Sequence, residues 1–248
     1  FYNLRLPGLV FWLILALLVG LFYLAVSAWG FGFSGFPLDD AWIHQTYARN
    51  LAYSGQLAFV PGVTSAGSTA PLWSFLLSIG YLTSIPFWLW TYGLGVILLG
   101  LTGWTTARLA RQLFPKNQQV ALWIGLFCVF EWHLVWAAVS GMETILFIWL
   151  SVLLVERYVT FVSRETKSQK FNHFFSLGLL GGLLTLTRPE GVGLVGLIGF
   201  DLAFRSWRQT PIKTLFFRWL WIAAGAALLL IPYILFFLWL TGQPLPNT

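Results

Sequence analysis

Residues 8–28 read GLVFWLILALLVGLFYLAVSA, a run without one charged side chain. A helix needs about 20 apolar residues to cross the hydrocarbon core of a bilayer, and this run supplies them. Residues 219–240, WLWIAAGAALLLIPYILFFLWL, do the same near the other end. The expected fold class is an all-α polytopic membrane protein. Composition agrees, with 58% hydrophobic and only 9% charged residues. The evenly spaced alternating segments of a membrane barrel are missing from the sequence. The first run is too long for a signal-peptide core, and no small-residue cleavage site follows it, so it reads as a retained span. A chain that opens on Phe1 and stops at Thr248, just after a span, is expected to be a piece of a longer protein.

Between these ends lie further candidate spans at about 88–107, 119–139, 143–162, 173–187 and 191–206, with the last at 218–240. One more apolar stretch, Pro71 to Leu82, is too short to cross upright and reads as re-entrant or interfacial. Charge decides the arrangement. If 71–82 does not cross, every Lys and Arg except Arg49 and Arg188 shares one side with Arg5. That is the positive-inside pattern, so the expectation is a single module 1–248 with seven spans. Its N-terminus would be cytoplasmic, and one long outer segment would run over about 29–87. The same clustering makes the net charge of +6 a topological signal rather than a nucleic-acid one. Cys128 is the only cysteine and lies in an apolar run, which excludes a disulfide framework and a thiolate metal site.

The outer segment reads in three parts. Residues 39–54 are helical by periodicity, with Ile43, Tyr47 and Leu51 on one stripe and Asp40, His44, Gln45 and Arg49 on another. PGVTSAGSTA, 61–70, is a small-residue loop with strong turn chemistry. The short apolar helix 71–82 follows. Two such helices along the outer surface would wall a cleft opening onto lipid. The spans 173–187 and 191–206 are short, about 25 Å of helix against a core of about 30 Å. The turn Thr187–Gly191 between them is therefore expected just below the outer surface, at the floor of that cleft.

Asp39 and Asp40 stand side by side in a chain with only eight acidic residues. A helix cap accounts for the first and the helix dipole for the second. A general base with a partner carboxylate, or a pair holding a divalent metal ion, accounts for both. Arg188 either closes a hairpin by pairing with Glu190 or binds an anionic headgroup, for which a guanidinium is suited. Glu143 is either a first-turn acid at a helix start or a member of the same outer site. His44, four residues past Asp40, is a candidate metal or phosphate ligand or a surface histidine bonded to its neighbour. Glu131 and His133 fall inside the third span, where ionisable groups are functional candidates, but on a continuous helix they point apart.

Taken in order, DDAWIHQTYARNLAYSGQLAFVPG (39–62), GSTAPLW (67–73), SGMET (140–144), TRPEG (187–191) and GQPLPNT (242–248) resemble the polyprenyl-phosphate-dependent GT-C membrane glycosyltransferases. The likeness runs furthest toward the actinobacterial terminal arabinofuranosyltransferase-like branch, with distant similarity to protein mannosyltransferases. HQT at 44–46 departs from the aromatic and arginine residues expected there. The resemblance implies a GT-C-like fold in a bacterial inner membrane and an active site on the extracytoplasmic face. It implies a lipid-linked sugar donor and a glycan or protein acceptor, with partner subunits in a membrane complex also compatible. Transfer would invert the anomeric centre. Asp39 would be the base, with Asp40 orienting the acceptor or helping to hold a metal. His44, Arg49, Glu143, Arg188 and Glu190 would bind substrate. The rival expectation is a non-catalytic lipid-binding or assembly subunit on the same module. A transporter is disfavoured, since Glu131 is the only acid near a midplane position.

Overall fold

The computed structural model describes residues 6–32, 35–63, 67–163, 171–206 and 211–241. The segment GQPLPNT at 242–248 and residues 64–66 of the small-residue loop lie outside them. All regular structure among the described residues is helical. In order these are α1 Leu9–Phe31, α2 Asp39–Ser54, α3 Pro71–Leu82, α4 Phe87–Leu113 and α5 Gln118–Phe130. They are followed by α6 Trp132–Val139, α7 Thr144–Ser163, α8 Phe171–Thr187, α9 Gly191–Ser206 and α10 Ile212–Thr241. Among the described residues, four helices are long and apolar enough to cross a membrane: α1, α4, α7 and α10. The number rises to five if the bent pair α5–α6 is one broken span. By length and composition these helices are consistent with a multi-pass helical membrane protein.

The run 119–139, expected as one straight span, is broken. α5 and α6 meet at an angle of 50°. The cause sits at the break, where Glu131 leaves the helical conformation and its carboxylate accepts the backbone N–H of Leu134 as the N-cap of α6. Hydropathy alone counts composition and is blind to such a cap. The break also turns His133 back onto Glu131, at 2.5 Å, so the two residues meet instead of pointing apart.

Packing starts from Trp12, fully buried on a helix whose other large side chains mostly face outward. Its indole fits because α5 offers no side chain there: a Cβ on Gly125 would come within 2.6 Å of it. α4 and α6 approach still more closely. A Cβ on Gly95 would stand 1.7 Å from the carbonyl oxygen of Ala138, so only glycine permits this backbone contact. α4 thereby fixes the position of α6 and of the turn that follows it.

Helices α2 and α3 keep the ranges expected for them and pack on each other; α3 also packs on α4, and α2 reaches α4 through Gln45 and Trp42. The two stripes of α2, however, do not divide into a buried and an exposed face: Tyr47 is buried, while Asp40 and Arg49 are exposed. Its buried face carries His44, Gln45 and Asn50 beside Ala41, Tyr47 and Ala48, while Ile43 and Leu51 are only half-buried. Two of the inward polar side chains, Gln45 and Asn50, are hydrogen-bonded. Gln45 donates to Thr91 Oγ1 at 2.8 Å and accepts from the Tyr81 hydroxyl at 2.9 Å. Asn50 donates to the carbonyls of Ala58 and Phe59, both at 2.9 Å. Buried polar groups are tolerated when bonded, and here they set the helix's rotation.

Candidate active site

Four segments converge on one cleft of about 520 Å³: the first turns of α2 and three connecting turns. It is lined by Asp40, Ile43 and His44 from α2, by Gly67 and Thr69 from the loop before α3, and by Met142 and Glu143 between α6 and α7. Arg188, Pro189 and Glu190 between α8 and α9 complete it.

The α6–α7 turn is built tightly. Ser140 donates its hydroxyl to the carbonyl of Ala137 and accepts the N–H of Met142. Gly141 takes φ +82°, a left-handed conformation that favours glycine, and a Cβ there would meet Phe36 at 2.7 Å. The buried indole of Trp73 donates to the Gly141 carbonyl at 2.9 Å, which ties α3 to the turn. These constraints place Glu143 at the start of α7, where its carbonyl accepts the N–H of Phe147.

Glu143 is the hub. It is 4% exposed, and a carboxylate so deeply buried needs charge partners. The Arg188 Nε donates to Oε1 at 2.7 Å, while the arginine reaches Thr144 Oγ1 with a second nitrogen at 3.3 Å. His44 Nε2 lies 3.0 Å from Oε2. That approach falls outside hydrogen-bond alignment, and Oε2 and His44 Nδ1 have no hydrogen-bond partner among the described residues. Burial alone would raise the Glu143 carboxyl, but the His44 imidazole and the Arg188 guanidinium outweigh it and hold the carboxyl below its ordinary value. Arg188 thus pairs across the cleft with Glu143; the alternative of a hairpin pair with Glu190, which is exposed, is not formed.

The two aspartates differ in place. α2 is capped by Leu38 without a side-chain bond, so Asp39 is the first residue of the helix and not its cap. Asp39 Oδ1 accepts the N–H of Asp40 at 3.0 Å. Asp40 lines the cleft, exposed and with no ion-pair partner among the described residues; Asp39 does not line it. Both acids sit in the first turn of α2, at the positive end of its dipole. Arg49 is exposed on the same helix, outside the cleft lining and close enough to Tyr81 to act on its hydroxyl. Glu131 and His133 belong to the break in the α5–α6 pair and are not in the cleft.

Among the described residues no group of three or more His, Cys, Asp or Glu side chains could hold a metal ion. With Asp39 Oδ1 bonded to the backbone N–H of Asp40 and only Asp40 on the cleft, the two carboxylates do not fit the expected metal pair. Gly67, Thr69 and Met142 line the cleft without having been singled out in the sequence. The signal available was only that they fall within the GSTAPLW and SGMET segments.

A second hollow, about 550 Å³ and mostly apolar, lies on the other side of the first turns of α2. Tyr23, Leu24, Phe36, Trp42, Trp88 and Trp136 are among its walls. No protein-family model, no curated protein and no solved structure matches this chain. A functional reading rests on the residues and their geometry.

Proposed function

We propose that this protein is a GT-C-type membrane glycosyltransferase that moves a sugar from a polyprenyl-phosphate donor to an extracytoplasmic acceptor hydroxyl. The observation that carries the reading is the cleft itself. A carboxylate at Asp40, without an ion-pair partner among the described residues, shares it with a guanidinium at Arg188, which Glu143 holds in place. Group transfer from a phosphate needs these two functions: a base for the incoming hydroxyl and a cation for the charge that develops on the departing phosphate.

Asp40 is the better candidate for the base, because it lines the cleft and Asp39 does not. Asp39 would act through the helix start, holding the N–H of Asp40. Arg188 keeps part of its guanidinium exposed after pairing with Glu143, which leaves donors for a phosphate. The apolar hollow beside α2 suits an isoprenoid tail whose headgroup turns into the cleft. In the same reading α8, α9 and the broken pair α5–α6 also cross the bilayer, giving seven spans in the bacterial cell membrane. All three turns of the cleft then face outward.

The test is sugar transfer in membranes from a radiolabelled polyprenyl-phosphate sugar. Asp40→Asn is expected to lose about 100-fold or more, the usual loss for a general base, and Asp39→Asn distinctly less. Full transfer by both variants would overturn the catalytic assignment. A protein that binds the lipid donor but transfers nothing in the unsubstituted form would instead be a lipid-binding or assembly subunit.

A further inference from the structure

A second polar hollow lies at the other end of α4 and α7, and its chemistry does not depend on the transfer reading. It measures about 220 Å³ and is lined by Arg108, Arg111, Gln112, Glu156, Thr160 and Ser163. The twenty residues of α7 start beside Glu143 and end at Ser163, a rise of about 30 Å, so this hollow and the cleft belong to opposite faces of the membrane.

The hollow is built around a fully buried carboxylate. Glu156 Oε1 accepts from Arg108 at 2.7 Å and from the Gln112 amide at 3.1 Å. Gln112 also donates to Thr160 Oγ1 at 2.8 Å. Arg157 Nε approaches Glu156 Oε2 at 3.6 Å, and Arg108 lies over the Trp104 ring at 4.7 Å. Oε2 has no hydrogen-bond partner, but its charge is offset by the two arginines beside it. One carboxylate against Arg108, Arg111 and Arg157 leaves the cluster cationic. Arg111 is exposed, lines the hollow and has no ion-pair partner among the described residues.

We propose that this hollow binds a phosphate group, supplied by the headgroup of an anionic phospholipid in the leaflet opposite the cleft. Basic hollows between helices on the positively charged side of membrane proteins take such headgroups. A guanidinium is the side chain best shaped for a phosphate. Arg111 supplies the unpaired guanidinium, and the exposed Ser163 hydroxyl stands on the same wall. Glu156, by holding Arg108 and Gln112, keeps the pocket open and its charge spread instead of meeting the ligand directly. The lipid's tails would run down the apolar surface of the neighbouring spans.

Native mass spectrometry of the full chain in a neutral detergent tests this with three probes: dioleoyl-phosphatidylglycerol, dioleoyl-phosphatidylcholine and inorganic phosphate. The unsubstituted protein is expected to bind phosphatidylglycerol in preference to phosphatidylcholine. Arg111→Ala should weaken that binding about five- to tenfold. Lys213→Ala, at another exposed basic residue at the start of α10, should leave it unchanged. Equal affinity for the two lipids, or equal losses in the two variants, would overturn the site in favour of general surface charge. Displacement of phosphatidylglycerol by millimolar inorganic phosphate would keep the phosphate chemistry and overturn the lipid as its source.

Discussion

At the scale of single residues, one buried carboxylate decides how the cleft is held. Replacing Glu143 by Gln keeps its shape and removes its charge, leaving Arg188 and His44 without their common partner. Loss of charged hydrogen bonds and of a partly buried pair is expected to cost about 1–3 kcal/mol, toward the lower end because Arg188 can turn toward solvent. Unfolding of the detergent-solubilised protein measures it. The effect carries a sign in pH. Glu143 is held below its ordinary value in the folded protein, so its contribution is complete above the unfolded carboxyl value of about 4.3 and is lost as pH falls through the folded one. The carboxylate's share of the gap between the unsubstituted protein and Glu143→Gln should therefore close as the pH falls into the acid range. A gap that instead widens below about pH 4.3 would contradict this sign. Asp40, Glu143, Arg188 and Glu190 were each legible as outer-face candidates from type and charge bias. Their pairing was not, because Arg188 meets Glu143 across 45 positions and nothing local in the sequence marks that partnership.

Among the elements, the close approach of α4 and α6 is the most exacting. Gly95→Ala would drive a methyl group into the Ala138 carbonyl and push α6 outward, with the Ser140–Glu143 turn attached to it. Overpacking of this kind costs about 1–3 kcal/mol, and any transferase activity should fall with it. Gly93→Ala is the control two residues away on α4. A Cβ there meets nothing within 4 Å, so this substitution should be neutral or gain up to about 1 kcal/mol of helix propensity. Similar losses at both positions, read by unfolding, would show that the contact does not govern this packing. The ranges of α2 and α3 could be read from the sequence because periodicity, an apolar run and flanking Gly and Pro residues all agreed. The rotation of α2 could not. An apolar stripe was the natural choice for its buried face, yet Gln45 and Asn50 turn inward because Thr91, Tyr81 and two carbonyls await them. The bend at Glu131 escaped for a related reason: the capping bond to Leu134 is made within an uninterrupted apolar run.

For the whole molecule, the charge-based topology makes a sidedness prediction. In a Cys128→Ala background, Val63→Cys should react with an impermeant thiol reagent added outside intact cells, and Lys116→Cys only after the membrane is opened. Both positions are exposed in the structure, so burial would not mask the result. Reaction of both from one side would refute the seven-span arrangement. Membrane character was legible in the two apolar runs; the number of crossings is harder to read, because α8 and α9 are only 17 and 16 residues long. The convergence of His44 and Arg188 on Glu143 also imposes an order in time. His44 leaves the ribosome roughly a hundred residues before Glu143, a delay of about 5–20 s at ordinary rates of synthesis. Throughout that interval the inward face of α2 lacks one of its partners, and hydrocarbon would be a hostile place to wait. A helix of this composition can afford the delay only where water or headgroups reach it, so α2 must be parked at the membrane surface until the later spans arrive. Arg188 arrives last of the three. The cleft is completed in chain order, and a ribosome stalled before α8 would leave Glu143 and His44 made with the cation still to come.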